Sequence, residues 1–469
     1  MGALQESHTE ADTTERQSLL QRQEFGDVQY ADRKTMGWST ARKAAILGVV
    51  SWAVFNDALV STIVFPALQQ ITDEFHVSSS VLKQLLLSVH VIGFALGPLI
   101  VSPGSELLGR NPLMHTSNFM MVLSMVIGAL SNSMPLLLVS RTITGAAGCI
   151  PIVLEGGYIA DLIHVEKRGK IIAVWTLAPL VGTVIGPIIS GSITLRVGWR
   201  SVFWLMAILS GVQTVAGMLI LTKGKFEPVA SQSDQSQSQS AERLLSKGWG
   251  PFKAAFSRTA RVAFQTPVVI ITTLNMSMAF VYFYIIVTNL PTLFAESYGF
   301  DSAQIGFVYI SPATGTVIGL AIIGILSDRV ISQRRIARGV SLPEDRLFPL
   351  IASNVITAVG MLAYGWSVQA GLAWMCPLVA IAFTTIGISA IFVALQQYLT
   401  DHFGGSVSNA IAFIVVVRSI LGVLLPLAVP SLYNNLGYGW GDSLLALVAL
   451  AFCPTTFLLK KYGGEHHTP

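Results

Sequence analysis

Five ionisable residues interrupt long apolar runs of this 469-residue chain: Asp57, His90, Arg141, Glu155 and Arg418. Placing one such group at the centre of a bilayer costs roughly 2.5–3.5 kcal/mol on insertion scales, so each is expected to face a partner, a water-filled cavity or a ligand. Carboxylates and an imidazole take up and release protons. Arginines hold anions. The chemistry indicated is proton binding and anion contact within apolar surroundings. Arg141, Gly145, Gly148, Ile152 and Glu155 fall at +4, +7, +11 and +14, within roughly 40° of one line at about 100° per residue. That face is expected to line a cavity. Arg141 and Glu155 lie about 21 Å apart along such a helix and cannot pair; Asp57 is a candidate partner for Arg141. Asp57, Arg141 and Glu155 form the proton-coupling set. Each has a competing structural reading: an inter-helix tie for Arg141 and Arg418, a buried backbone break near Gly156-Gly157 for Glu155, a satisfied polar contact for Asp57 and His90.

Aromatic and amide groups mark candidate walls of a central cavity for an amphipathic organic ligand. They are His90, Trp175, Asn275, Tyr282, Tyr284, Gln396 and Arg418. Interfacial aromatic belts are the competing reading. The balance of Arg141, Arg418 and His90 against Asp57 and Glu155 leans cationic, which favours an anionic or neutral organic compound over a lipophilic cation.

These residues need apolar elements to position them. The chain is 52% hydrophobic and 12% charged, with mean hydropathy +0.63, about half the charge of a soluble domain. A membrane-crossing helix needs roughly 20 apolar residues. Twelve stretches qualify: 44–66, 81–102, 113–131, 136–158, 171–194, 201–222, 267–290, 304–326, 347–366, 372–398, 409–432 and 441–459. They are spans 1 to 12 below. The fold class is an all-α integral membrane protein with twelve transmembrane helices in two pseudo-symmetric six-helix bundles. Residues 1–40 lack the apolar core of a cleavable signal peptide, so span 1 is expected to direct insertion.

Basic residues set the orientation. Of the 29 Lys and Arg, only Lys83, Arg196 and Arg200 fall on the side away from the termini, with Arg141 and Arg418 inside spans. The asymmetry places both termini in the cytosol. The net charge of +4 then follows from topology and gives no reason to expect nucleic-acid binding. The organisation expected is a disordered cytosolic tail (1–43), a first bundle (44–222), a cytosolic linker (223–266), a second bundle (267–459) and a cytosolic C-tail (460–469). The Ser/Gln tract from Ser231 to Ser240 cannot bury enough apolar area to order itself.

The halves echo each other. Ser102-Pro-Gly-Ser-Glu106-Leu-Leu-Gly109-Arg110 follows span 2, and Gly324-Ile-Leu-Ser-Asp328-Arg329 follows span 8. Internal repeats of this kind mark two-halved transporters. Glu106, Arg110, Asp328 and Arg329 are candidate gating residues, with Asp161 at the end of span 4 as a partner for Arg110. Span 5 carries Gly182, Gly186 and Ser190 at every fourth position, with Pro187 and Gly191. Small residues at that spacing let another backbone come close in lipid, and Pro187 bends or weakens the helix. This segment is expected at the interface between halves.

On these motifs the chain resembles the major facilitator superfamily, in its twelve-span drug:proton antiporter group of fungal type, over residues 44–460. Glu106 to Arg110 is similar to the second half of the family's cytosolic-turn motif, with Glu106 for the usual Asp and with Ser102 and Gly104 departing from its first half. Gly324 to Arg329 is similar to that first half. Arg141-Thr-Ile-Thr-Gly145 resembles the fourth-span motif, whose arginine the family implicates in proton coupling. Gly182 to Gly191 resembles the fifth-span antiporter motif of exporters, with Ser190 where Gly is frequent. Gly198-Trp199-Arg200-Ser-Val-Phe-Trp204 is typical of fungal members. The resemblance implies proton-coupled export of a small organic compound by a plasma-membrane monomer. Uptake or facilitated diffusion is the alternative, and a membrane-embedded enzyme a remote one.

Other functions find no support. The eight histidines are dispersed and build no metal-ligand cluster, and no nucleophile motif is visible. No cofactor or metal is expected. Cys149, Cys376 and Cys453 all fall in spans, away from any disulfide pattern. The sequon at Asn275 lies inside span 7 and should not be glycosylated.

Overall fold

The computed structural model describes residues 39–108, 110–162, 177–221, 266–338, 343–403 and 407–464. The tail before Ser39, most of the linker, Trp175 and the side chains of Glu106, Asp161 and Asp328 lie outside the described residues. Among the described residues, ten helical stretches are long and apolar enough to cross a membrane. The last, Phe413–Tyr462, is broken at Gly437 (φ 75, ψ 170) and so contains spans 11 and 12. Span 5 is the helix Leu177–Val197, continuous through Pro187. The twelve expected spans are therefore all present as helices.

Boundaries shift where caps dictate. Span 1 is the helix Thr40–Thr62, starting four residues before its apolar run because the Ser39 hydroxyl accepts from the Arg42 amide at 3.3 Å. It stops ahead of Pro66, which has no N–H to continue the ladder. A short helix, Leu68–Glu74, follows. Span 7, Pro267–Tyr298, starts with proline at its first turn and ends on Gly299 at φ 68, the left-handed residue that closes a helix.

Small residues set the packing, and they do so twice. In the first half, Gly93 and Gly97 of span 2 (Ser80–Leu108) press on span 4 (Met134–Leu162): a Cβ at Gly93 would lie 2.5 Å from the Ala146 amide nitrogen, and one at Gly97 2.6 Å from the Cys149 Cβ. In the second half, Gly315 and Gly319 of span 8 (Ile310–Arg338) press on span 10 (Met375–Phe403), where added Cβ atoms would sit 2.8 Å from the Ala382 carbonyl carbon and 2.6 Å from the Ile386 oxygen. The second helix of each half thus crosses the fourth through a four-residue glycine spacing, which makes the internal repeat structural.

Span 5 divides its small residues between two partners. A Cβ on Gly182 would lie 2.7 Å from the Phe55 oxygen, one on Gly186 2.5 Å from the Thr62 hydroxyl, and the Ser190 hydroxyl donates to the Ile63 carbonyl. All three face span 1 of the same half. Pro187, Ile188 and Gly191 meet the other half: a Cβ on Gly306 would lie 2.5 Å from the Pro187 oxygen and 3.1 Å from the Ile188 Cα, and Gly191 abuts Ser302 and Ala303. The expectation that the whole segment forms the interface between halves is corrected accordingly. Residues four apart share a helix face, and residues 187 and 191 lie about 100° round from 186 and 190.

An even number of spans puts both termini on one side. The described contacts between halves gather on the other. Phe65 stacks on Tyr309 at 5.6 Å, the Gln84 amide donates to the Thr288 hydroxyl, and Gly306 packs on Pro187. The two halves are in contact on the face away from the termini.

That face carries a polar cap. Trp199 Nε1 and Arg200 Nη1 both donate to Glu74 Oε2 at 2.7 Å, Arg200 Nη2 donates to the Ser131 carbonyl at 3.0 Å, and the guanidinium lies 4.3 Å over the Trp199 ring. Three loops of the first half are tied in this way, which gives the Gly198-Trp199-Arg200 motif a physical role. The hydrogen bonds from Trp199 and then Arg200 hold the Glu74 carboxyl below its ordinary value. A depressed carboxylate stabilises the fold at neutral pH, and that stabilisation is lost as pH falls below about 4.5 toward the depressed value. The pair is exposed, so Glu74→Gln should lower the melting temperature by no more than about 2–4 °C at pH 7. Melting curves at pH 7 and pH 3.5 should converge for the variant and wild type at the acid end.

Candidate functional site

Arg141 is fully buried in span 4. Its Nη1 donates to the Val60 carbonyl at 2.6 Å and its Nη2 to the Ser61 carbonyl at 2.7 Å. The last carbonyls of a helix lack intrahelical donors and carry the negative end of its dipole. Span 1 ends there because of Pro66, and Arg141 caps it. The candidate pairing of Arg141 with Asp57 is therefore replaced by a pairing with the chain break that follows Asp57. Asp57 remains an electrostatic neighbour of Arg141.

Asp57 finds a different partner. His90 Nε2 lies 3.5 Å from Asp57 Oδ1, and both side chains are almost sealed, at 3% and 5% accessibility. At that distance the two form an ion pair if the imidazole is protonated, without a well-formed hydrogen bond. His90 Nδ1 has no other partner among the described residues. A carboxylate and an imidazole thus face each other in a buried site able to hold one proton between them.

Span 4 makes this approach possible. A Cβ on Gly148 would overlap the Asp57 carboxyl, and one on Gly145 the carbonyl of His90. The Arg141–Gly145–Gly148 face, expected to line a cavity, instead packs against spans 1 and 2. The two glycines supply room for an acid and a backbone. Further along the same face, Ile152 and Glu155 stay partly accessible.

The second half contributes Tyr284 of span 7 and Arg418 of span 11. The Tyr284 hydroxyl interacts electrostatically with Arg141, Asp57 and Arg418 together, so these four residues from both halves share one region. Arg418 lies 5.0 Å over the Phe280 ring and 5.9 Å from that of Phe392. Tyr284 packs on Phe280 with centroids 4.7 Å apart.

Other candidates go elsewhere. Asn275 is buried and donates to the Thr455 hydroxyl at 2.7 Å, a tie from span 7 to the helix Thr455–Gly464. This explains why its sequon is inaccessible and removes it from the cavity set. Tyr282 sits in the core of the second half with its hydroxyl unpartnered among the described residues; two residues along a helix is about 200°, so it points away from Tyr284. Gln396 is exposed near the inner end of span 10, whereas its neighbour Gln397 accepts from Arg346 at 3.3 Å. Arg110 opens span 3 half-buried, and Arg329 is exposed.

Three features escaped the sequence reading. Arg346 Nε donates to Asp401 at 2.8 Å, and Arg334 pairs with Asp345, so the 8–9 loop is bound to spans 8 and 10 on the termini side. The acids among that loop's arginines were the available signal. Asp442 is fully buried in span 12, accepting from the Tyr433 hydroxyl at 2.8 Å. An acid inside an apolar run was there to be read.

Comparison with known proteins agrees with this architecture. Residues 50–426 match the family model described as Major Facilitator Superfamily. The MFS-type transporter tndD of Aspergillus flavipes is 35% identical over 434 residues, covering 90% of this chain and 81% of that protein. The MFS transporter cpaT of Aspergillus oryzae is 35% identical, covering 92% and 89%. The efflux pump radE of Floropilus chiversii is 30% identical, covering 91% and 81%. Among solved structures, a partially occluded inward-open xylose transporter XylE from E. coli aligns with TM-score 0.63 at 16% identity, over 88% of this chain and 97% of that one. With two six-helix bundles related by an internal repeat and charged groups converging between them, the chain belongs to the Major Facilitator Superfamily, as a secondary transporter of small molecules and not an enzyme.

Proposed function

We propose that this transporter is a proton-coupled exporter of a small organic compound, a secondary metabolite, organic acid or drug, acting as a monomer in the plasma membrane with both termini cytosolic. The observation that carries the coupling is the sealed Asp57–His90 pair beside Arg141 and Tyr284. A proton entering from outside is held between the carboxylate and the imidazole. Its arrival cancels the net charge of the pair and changes the field that Arg141, clamped to the end of span 1, and Tyr284 experience. Because these residues belong to both halves, protonation and cargo binding favour different rocking states, and proton entry drives cargo out. Glu155 is the second carboxylate available for this role. Glu106, Arg110, Asp161, Asp328 and Arg329 act as gates at the cytosolic ends of spans, and residues 223–266 link the moving halves. Export is supported by the fifth-span motif and by relatives that include a named efflux pump.

Proteoliposomes with an imposed pH gradient test this reading, using radiolabelled 1-naphthoate and ethidium as probes against protein-free vesicles. Antiport accumulates cargo in a lumen more acid than the bath. Accumulation in an alkaline lumen means symport, and indifference to the gradient means facilitated diffusion; either result overturns the proposal.

A further inference from the structure

The two arginines within the spans are not equivalent: Arg141 is fully buried and Arg418 half-buried. Arg141 has both Nη groups donated to carbonyls and an acid nearby. Arg418 has no hydrogen bond and no ion pair among the described residues, its Nε is sealed without a partner, and its one electrostatic neighbour is the Tyr284 hydroxyl. Two phenylalanine faces hold the guanidinium. Phe280 is itself fixed, because Gly422, one turn beyond Arg418, leaves a recess in which an added Cβ would lie 2.7 Å from the Phe280 ring. The cation is thus held against two rings and has no counter-ion among the described residues. Aromatic faces attract a cation but accept none of its five N–H donors in plane, so the guanidinium fork remains unfilled.

We infer that Arg418 is the receptor for a singly charged planar acid group, a carboxylate or a vinylogous enolate, on a cargo whose apolar body rests against Phe280 and Phe392. A guanidinium fork matches two coplanar oxygens. One uncompensated cation matches one negative charge, and a phosphate dianion would leave its second charge unpaired beside aromatic rings. Tyr284 has both Arg418 and Asp57 as electrostatic neighbours, so the cargo's charge and the proton act on the same tyrosine from opposite halves. The inference rests on the transport reading for its cargo, but binding at equilibrium needs no gradient.

The test compares three probes of one shape on the purified full-length protein in nanodiscs: 1-naphthoate, 1-naphthamide and 1-naphthylmethylammonium, at constant ionic strength and without a pH gradient. Thermal shift and tryptophan quenching should show 1-naphthoate binding about 10- to 100-fold tighter than the amide, the range for a charged hydrogen bond, and the ammonium weakest. Arg418→Gln should equalise acid and amide while melting near the wild-type temperature without ligand. Arg418→Lys, which keeps the charge and loses the fork, should raise the Kd for the acid about 10-fold. Equal shifts by the three wild-type probes, no shift included, overturn the inference even if every variant misfolds. A persistent acid preference in Arg418→Gln overturns it as well. Failure of proton coupling leaves the acid preference standing, and loss of acid preference leaves a gradient response standing, so the two readings fail separately.

Discussion

Replacing Asp57 with asparagine should leave a folded, membrane-inserted protein whose transport no longer responds to a pH gradient. Asparagine is nearly isosteric, so the close packing beneath Gly148 survives and no new cavity opens. What disappears is the carboxylate opposite His90. A gradient of one pH unit is worth about 1.4 kcal/mol per proton, which sustains up to about tenfold accumulation of cargo for one proton exchanged. The steady-state ratio in proteoliposomes should fall from about tenfold toward one, with counterflow exchange preserved. Glu155→Gln is the comparison. If it abolishes the accumulation while Asp57→Asn keeps it, the coupled proton sits at the other end of span 4.

Gly145→Ala should damage the fold more than any single change of comparable size. The added methyl would overlap the His90 carbonyl and approach its Cα to 3.2 Å. Both partners are helix backbone, so no side chain can rotate away, and spans 2 and 4 must separate. Overpacking of this kind costs about 1–3 kcal/mol or more, which outweighs the roughly 1 kcal/mol that alanine gains over glycine in a helix. Separation also carries His90 away from Asp57. Melting in detergent should drop by several degrees, with loss of transport, whereas Gly48→Ala, where an added methyl meets nothing within 4 Å, should melt like wild type. A neutral Gly145→Ala would mean that the two spans do not touch there in the membrane.

Much of this architecture was legible in advance because a bilayer imposes a length and a polarity on each span. Spans 1 to 12 appear where apolar runs predict them, and span 4 places Arg141, Gly145 and Gly148 on one face as its spacing requires. Partners were less legible. Helix periodicity says which residues share a face but not which neighbour that face meets. The same glycine spacing that suggested an interface between halves in span 5 serves span 1 within one half. Arg141 looked available to an acid, yet the break before Pro66 offered two bare carbonyls nearer at hand. Asn275 looked like cavity lining until the return of the chain at Thr455 claimed it.

The sequence by itself therefore determined that this chain crosses a membrane twelve times in two echoing halves, and which ionisable groups must be sheltered there. Only the tertiary structure decided that Asp57 faces His90, that Arg141 is satisfied by backbone, and that Arg418 lies against the Phe280 and Phe392 rings. The reason is physical. Burial of a charge is forced by local composition, whereas its compensation depends on the rotation and crossing of helices far apart in the chain.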